Sequence, residues 1–520
     1  MVVARSLSVA LVGVDATVVD VEVDVSSGVP DFTLIALADT VLRQAEKRVK
    51  SALNNSGESW PGRRVTVALS PAEVPKAGSG FDVPIAVTVL AAAGALPAER
   101  IAGLVLLGGV ALGGALQPVT GVLPAVIGAM QQGRDRFVVP AGNASEARLV
   151  PGARVWAVGS LAELCAWLRG EIDDDELLAE RRQSLPEPAD NHADFADVVG
   201  QEGARRALEI AAAGGHHVLM SGPPGVGKTM LAERLPSILP PLTDDEAMEV
   251  TAIHSVAGRL ATGRPLIAEP PFSSPHHSSS VAAIVGGGSG IAGPGAISLA
   301  HRGVLFLDEA PEFSPRVLDA LRQPLESGIV TIARSRGIAV YPARFLLVLA
   351  ANPCPCSAGG RFIEDGQCMC PARVRQRHQA RLSGPFRDRI DLVVNLEPVS
   401  RRLLSEQELG EPSHAVRARV QAARAIARER LAGTPWTTSG DVPGPVLRRR
   451  WPIDAADLRA VGAAVDRGAL SNRGLDRVRR VAWTLADLAG RARPGRDEVD
   501  EALELRLGRQ NIRPLTAASA

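Results

Sequence analysis

Apolar and polar residues alternate with a period of two over residues 1–23, and again over 17–25 and 64–69. That is the pattern of half-buried strands. The first run carries Asp15 and Asp20 early, so it predicts a strand and not a secretion leader. A helical spacing over 161–168 closes this zone. Residues 171–194 are acidic, contain proline and hold few large apolar side chains, which reads as a linker. From 195 to 398 short apolar runs alternate with helical patterns and glycine-rich turns, an α/β arrangement. Beyond 399 the pattern is nearly all helix, dominated by arginine and alanine. No repeat of fixed period is apparent. The expected organisation is a mixed α/β domain over 1–172, an acidic linker over 173–194, an α/β core over 195–398 and a helical domain over 399–520.

Residues 101–133 carry no charge and could pass for a membrane helix. Their many glycines, with Pro118 and Pro124, break the stretch into short strand-like pieces instead. The chain of 520 residues, 46% apolar and 22% charged, has the balance of a globular protein of about three domains. Net charge is zero, so any contact with nucleic acid must be a local patch. Five cysteines do not make a disulfide scaffold. The expectation is a cytoplasmic protein with no membrane partner.

Gly222-Pro223-Pro224-Gly225-Val226-Gly227-Lys228-Thr229 fits G-x-x-x-x-G-K-[ST]. A short apolar strand (217–221) precedes it and a helix start (230–235) follows, the context this loop requires. Its glycines let backbone N–H groups and the helix N-terminus surround a phosphate. Lys228 would reach the β- and γ-phosphates of ATP, and Thr229 would hold Mg²⁺. Lys228 is one of four lysines among 57 basic side chains. Farther on, the apolar strand 304–307 ends in Asp308-Glu309. Asp308 would complete the Mg²⁺ site beside Thr229, and Glu309 would prepare the attacking water. A third strand, 345–351, ends in Asn352, whose amide could position that water. Arg387 and Arg389 stand just before a final strand, and Arg473 opens a helix of the C-terminal zone.

Cys354-x-Cys356 and Cys368-x-Cys370 flank a polar, glycine-rich loop. Four thiolates so placed suit a structural Zn²⁺, although C-x₂₋₄-C is the commoner spacing; free thiols are the main alternative, a cytosolic disulfide a remote one. Cys165 lies on an apolar helix face and reads as core. His276 and His277 sit in a Ser/Pro-rich loop and read as loop residues. The uncharged insertion 271–300 is long enough to be functional, and 284–291 is the candidate substrate-touching loop, a solvent-exposed insertion being the alternative. Arg373, Arg377 and Arg381 share a helix face, with further basic runs at 448–450 and 477–480. Such stripes can neutralise phosphates, and as often are subunit contacts or solvated faces. Aromatic residues are 3% of the chain, so base-stacking platforms are scarce.

Taken together, the P-loop, the Asp-Glu strand end, the asparagine after the next strand and the two late arginines resemble an AAA+ ATPase. The segment 195–201 (FADVVGQ), with Val199, is similar to the part that cups adenine in such motors. Pro275-His276-His277, the run 294–309 ending in LFLDE, and Asn352-Pro-Cys-Pro-Cys356 resemble the magnesium-chelatase-like branch known as ComM/YifB. The resemblance implies a homo-hexameric ring in which Arg389, or its rival Arg387, is the finger reaching a neighbour's ATP, and Arg473 is a sensor acting in cis. Residues 74–82 and 116–125 resemble the Lon protease fold around its nucleophile and lysine. The serine position falls on Gly80 and the lysine position on Leu123, so the dyad is missing and no peptidase activity is expected. DNA as cargo, and branch migration of recombination intermediates as the activity, come from the resemblance. A chelatase-type motor acting on a protein partner, and a Lon-like protease or protein-remodelling machine, are the alternatives.

Overall fold

The computed structural model describes residues 3–36, 44–178, 193–261, 265–288, 291–334, 337–355, 370–382, 384–399 and 410–509, with the backbone of 363–364 and 367–368. The alternating run at the start forms two strands rather than the single one expected. β1 (Val3–Val12) and β2 (Asp15–Ser26) pair antiparallel, with Val12 opposite Asp15. Gly13 makes the turn at φ +71°, and a Cβ there would lie 2.8 Å from the carbonyl oxygen of Val340 in the core. Glycine is therefore required twice over at this position, by conformation and by close approach.

Next come β3 (Asp31–Ile35), α1 (Ala45–Asn55), β4 (Arg64–Ser70), α2 (Asp82–Ala92), β5 (Val105–Leu106), α3 (Val122–Gln131), β6 (Arg136–Pro140), β7 (Arg154–Val158) and α4 (Leu161–Arg169). The seven strands form one sheet in the order β3-β4-β2-β1-β5-β6-β7. Alternation along β1 feeds two cores: Ala4 and Ala10 join α1, α2 and α4, whereas Leu7 and Val9 join α3. Every residue of α2 is buried, and Asp82 is held there by a two-pronged pair with Arg48 at 2.7 and 2.8 Å. The uncharged stretch 101–133 holds short strands as expected, but its second part, Pro124 included, forms the helix α3 and not further strands; no helix among the described residues is long and apolar enough to cross a membrane. The expected linker does not begin at 173. Residues Asp174–Leu178 form a short helix whose Leu177 is buried in the N-terminal core, and Asp174 accepts a hydrogen bond from Trp167 Nε1 at 2.7 Å.

The core is built from α5 (Glu202–Gly214), β8 (Val218–Ser221), α6 (Lys228–Ile238), α7 (Asp244–Val256), β9 (Phe272–Ser273), β10 (Val304–Leu307), the hairpin β11 (Ile329–Arg334) and β12 (Gly337–Pro342), β13 (Leu346–Ala351) and β14 (Leu392–Asn395). Five strands pair in parallel in the order β9-β10-β13-β8-β14. They are almost wholly apolar, as a parallel sheet covered on both faces demands. Such a sheet presents its functional loops beyond the carboxyl ends of the strands. The C-terminal helices include α8 (Ser413–Arg430), α9 (Arg459–Asp466), α10 (Asn472–Leu488) and α11 (Arg496–Leu507). Val478, Val481 and Trp483 of α10 share one apolar cluster with Val218, Met220 and Val348 of the sheet. The fold is thus an α/β AAA+ P-loop core with an N-terminal Lon-protease-like α+β domain and a C-terminal helical domain.

A buried carboxylate stitches the N-terminal domain to the core. Glu146 accepts hydrogen bonds from Ser255 Oγ (2.6 Å), Asn143 Nδ2 (2.6 Å) and the backbone N–H of Leu123 (3.3 Å). Beside it, the N–H of Gly121 donates to the carbonyl of Ser255 at 3.1 Å.

Candidate active site

The P-loop leaves β8 and enters α6. Gly225 and Gly227 adopt φ of +78° and +92°, a region costly for any residue with a Cβ. A Cβ on Gly222 would lie 2.7 Å from the carbonyl oxygen of Leu396. Lys228 Nζ donates to the carbonyls of Gly222 (2.7 Å) and Pro223 (2.8 Å) and to Asn352 Oδ1 (3.0 Å). Burial lowers the Lys228 ammonium from its ordinary pKa, and the charges of Asp308 and Glu309 oppose that shift. Beyond the end of β10, Asp308 Oδ2 accepts from Thr229 Oγ1 at 2.9 Å, while Oδ1 accepts from the N–H of Glu309 at 2.8 Å. A hydroxyl and a carboxylate in contact are the oxygen donors that Mg²⁺ takes, so these residues fit the ion and the phosphates that the sequence implies.

Glu309 sits at φ +50°, unusual for a residue with a side chain. Such strain is tolerated where the surroundings fix the conformation, typically at functional sites. Its Oε2 lies 3.3 Å from His277 Nδ1, and the two imidazoles of His276 and His277 lie 4.1 Å apart between centroids. The reading of His277 as an ordinary loop residue therefore missed a contact with the residue expected to prepare the water. The signal was present in Pro275-His276-His277, but its partner is 32 positions away. Asn352 is at the site as expected, yet its carbonyl holds Lys228. Val199 is half-buried, and two residues on Gln201 Nε2 donates to the carbonyls of Val226 (3.2 Å) and Glu397 (2.7 Å), tying this segment to the P-loop.

The late arginines lie elsewhere. Arg389 pairs with Glu326 at 2.6 Å, and both line a small cavity of about 90 Å³ with Asp388, Arg473, Asp476, Arg477 and Arg480. This cavity adjoins the start of β14, whereas the P-loop lies beyond the opposite end of neighbouring β8. The structure thus brings Arg473 to Arg389 and not to Lys228, which departs from a role in cis. Arg387 is exposed, and its carbonyl accepts from Arg506 at 3.3 Å. The run 477–480 is not a solvated stripe: Arg477 pairs with buried Asp391 at 3.0 Å. Burial alone would raise the Asp391 carboxyl, but Arg477, His216, His217 and Arg480 hold it far below the carboxylate range. Burial pushes both His216 and His217 down to about 4.

Of the other candidates, Ile284 is fully buried. The expected substrate loop 284–291 begins in a short helix, Val281–Val285, and runs into the segment Gly286–Gly287, which pairs with Gly293–Pro294; residues 289–290 lie outside the described residues. Arg381 of the helix stripe is engaged by Glu312 at 2.6 Å, whereas Arg373 and Arg377 are exposed. Cys165 is core, its thiol raised to about 12 chiefly by burial. Cys354 and Cys370 are buried; Cys356 and the Cys368 side chain fall outside the described residues, among which no group of three metal-ligating side chains occurs. In the N-terminal domain, Leu123 is buried and Gly80 lines an apolar cavity of about 440 Å³.

Three family models match in succession: subunit ChlI of Mg-chelatase over residues 21–143, magnesium chelatase subunit ChlI over 194–404, and its C-terminal part over 410–506. The chain is 50% identical to an uncharacterized protein of Mycobacterium tuberculosis over 97% of this chain and 99% of that one. It is 39% identical to protein YifB of Escherichia coli and 39% to competence protein ComM of Haemophilus influenzae, each over 96% of both chains. A shorter match, 34% identity over 29% of each chain, is to Lon protease 2 of Bacillus subtilis. With its phosphate loop, paired carboxylates and all three matched regions in place, the chain belongs to the ComM/YifB family of magnesium-chelatase-like AAA+ ATPases.

Proposed function

We propose that this protein hydrolyses ATP as a homo-hexameric motor that moves DNA and promotes branch migration of recombination intermediates. The supporting observation is the convergence of Lys228, Thr229, Asp308, Glu309 and Asn352 beyond the carboxyl ends of three adjacent parallel strands. Bound Mg²⁺ would neutralise phosphate charge and orient the γ-phosphoryl group. Lys228 would share that task, held ready by its three oxygen partners, and Glu309 would orient or deprotonate the water. Arg389 and Arg473 line one cavity remote from their own P-loop, an arrangement suited to supplying both to a neighbouring subunit's nucleotide. The DNA assignment leans on the similarity to a protein named for competence.

The test is ATP turnover with and without four-way-junction and single-stranded DNA, with Glu309→Gln as control. Clear stimulation, assembly on DNA and loss of turnover in the variant are expected. Turnover indifferent to DNA would sink the cargo assignment. It would favour a chelatase-type motor acting on a protein partner, the reading suggested by the descriptions of all three matched models. Cys354, Cys356, Cys368 and Cys370 would hold a structural zinc ion; stoichiometric zinc in purified protein, lost in Cys370→Ser, is the expected result of metal analysis.

A further inference from the structure

A second polar cavity, of about 340 Å³, opens at the amino ends of the core strands, between the sheet and the helical domain. Four arginines line it, Arg302, Arg344, Arg424 and Arg428, against two carboxylates, Glu246 and Asp441. The carboxylates do not neutralise the arginines one for one. Glu246 pairs with Arg302 at 3.2 Å, and Asp441 is occupied by Thr437 and Thr438, its shortest bond 2.8 Å. Arg424 spends Nε and Nη2 on one neutral acceptor, the carbonyl of Ala212, at 2.9 and 2.6 Å. Burial lowers its guanidinium to about 10. Arg424 is half-buried, and a cation drawn out of water without a matched anion is expensive. The exposed guanidinium groups of Arg344 and Arg428 make no hydrogen bond or ion pair among the described residues.

The backbone adds an independent sign. Arg302 sits at φ +60°, a strained conformation for a residue with a long side chain. It is fixed from both sides: its N–H donates to the carbonyl of Arg344 at 2.6 Å, and its side chain bonds Glu249 at 3.2 Å. Next to it, Gly303 could not carry a Cβ, which would fall 2.0 Å from the carbonyl oxygen of Pro271. The turn into β10 is thus built to hold an arginine at the cavity. Arg424 and Arg428, one helical turn apart on α8, approach from the helical domain.

We propose that this cavity binds phosphate groups, as a site separate from the P-loop. Its volume is in the range of small-ligand pockets, and guanidinium forks match phosphate oxygens in pairs. The phosphates come either from the backbone of a DNA strand, which rests on the function proposed above, or from a free phosphorylated compound, which does not.

The experiment uses the full chain with Mg·ADP saturating the P-loop, and compares it with the double variant Arg344→Ala/Arg428→Ala. Both side chains are exposed and unpaired among the described residues, so the fold should survive; an unchanged melting temperature in the absence of phosphate checks this. One arm follows binding of a labelled single-stranded oligonucleotide across a salt series. The other follows the melting temperature in inorganic pyrophosphate. For a DNA source the variant binds the oligonucleotide at least tenfold more weakly, and its log–log salt slope is shallower by about 1.4, two contacts at about 0.7 each. For a free phosphate source, pyrophosphate raises the melting temperature of the parent protein and not of the variant, with equal oligonucleotide affinity in both. Identical behaviour of the two proteins in both arms overturns the proposal. If the parent protein does not bind the oligonucleotide at all, the DNA function fails while the pyrophosphate arm still decides the site.

Discussion

The two ends of the core sheet handle charge in opposite ways. Beyond the carboxyl ends, Thr229, Asp308, Glu309 and His277 are partly open to solvent, and each keeps atoms available to a ligand. Around the amino end of β14, Asp391 and His216 are buried and His217 is half-buried, and Asp391 already binds Arg477 and the N–H of His217. The first end is arranged for chemistry, where groups must change partners during a cycle. The second is arranged for permanence, because buried charges are tolerated only when they stay paired. Arg389 and Arg473 border this locked cluster, sharing a cavity with Arg477 and Arg480.

The contrast can be broken from either side. Glu309→Gln should reduce ATP turnover by at least about 10²-fold while nucleotide binding and the melting temperature stay close to the parent values. Steady-state hydrolysis and a fluorescent nucleotide titration measure this. At the other end, Asp391→Ala should cost about 3–5 kcal/mol of stability, because it leaves half-buried Arg477 without its partner and the N–H of His217 without its acceptor. Urea unfolding reads that loss, and it should exceed anything seen for substitutions at Glu309.

Acid sharpens the same comparison. The unfolded chain takes up protons on His216 and His217 near pH 6.5, while the folded chain resists until about 4. Stability should therefore fall as pH drops through that window, by on the order of 3 kcal/mol for each histidine. The depressed Asp391 carboxyl adds to the loss only below its unfolded value of about 3.9, where its own stabilisation disappears in turn. Replacing His217 with Gln should flatten the melting temperature between pH 6.5 and 4; an unchanged slope would assign the acid sensitivity elsewhere. The smallest effect is expected at exposed pairs: Arg381→Ala, which removes the bond to Glu312, should cost under about 1 kcal/mol.

These differences also explain what could be read from sequence. The phosphate loop is local: strand, glycines, lysine and helix follow one another, so eight consecutive residues carry most of the chemistry. Asp308 and Glu309 were legible because an apolar strand ends in two carboxylates. The amino-end cluster was not, since Asp391 meets Arg477 across 86 positions and His217 across 174. A run of arginines at 477–480 looks solvated until the packing of α10 turns Arg477 and Arg480 inward. The opening hairpin was read as one strand because alternation continues through Gly13, whose φ no periodicity reveals. Arg473 was assigned by likeness to motors whose lid lies over the nucleotide, and the packing of α10 against the sheet's other end moves it away.

Helix α7 links regions otherwise described separately. Its first turn carries Glu246, bonded to Arg302 at the arginine cavity, and its last turn carries Ser255, bonded to Glu146 of the N-terminal domain. Thirteen residues of helix span about 20 Å as a stiff strut with a clasp at each end. The helix therefore joins the N-terminal domain and the arginine cavity through one rigid element.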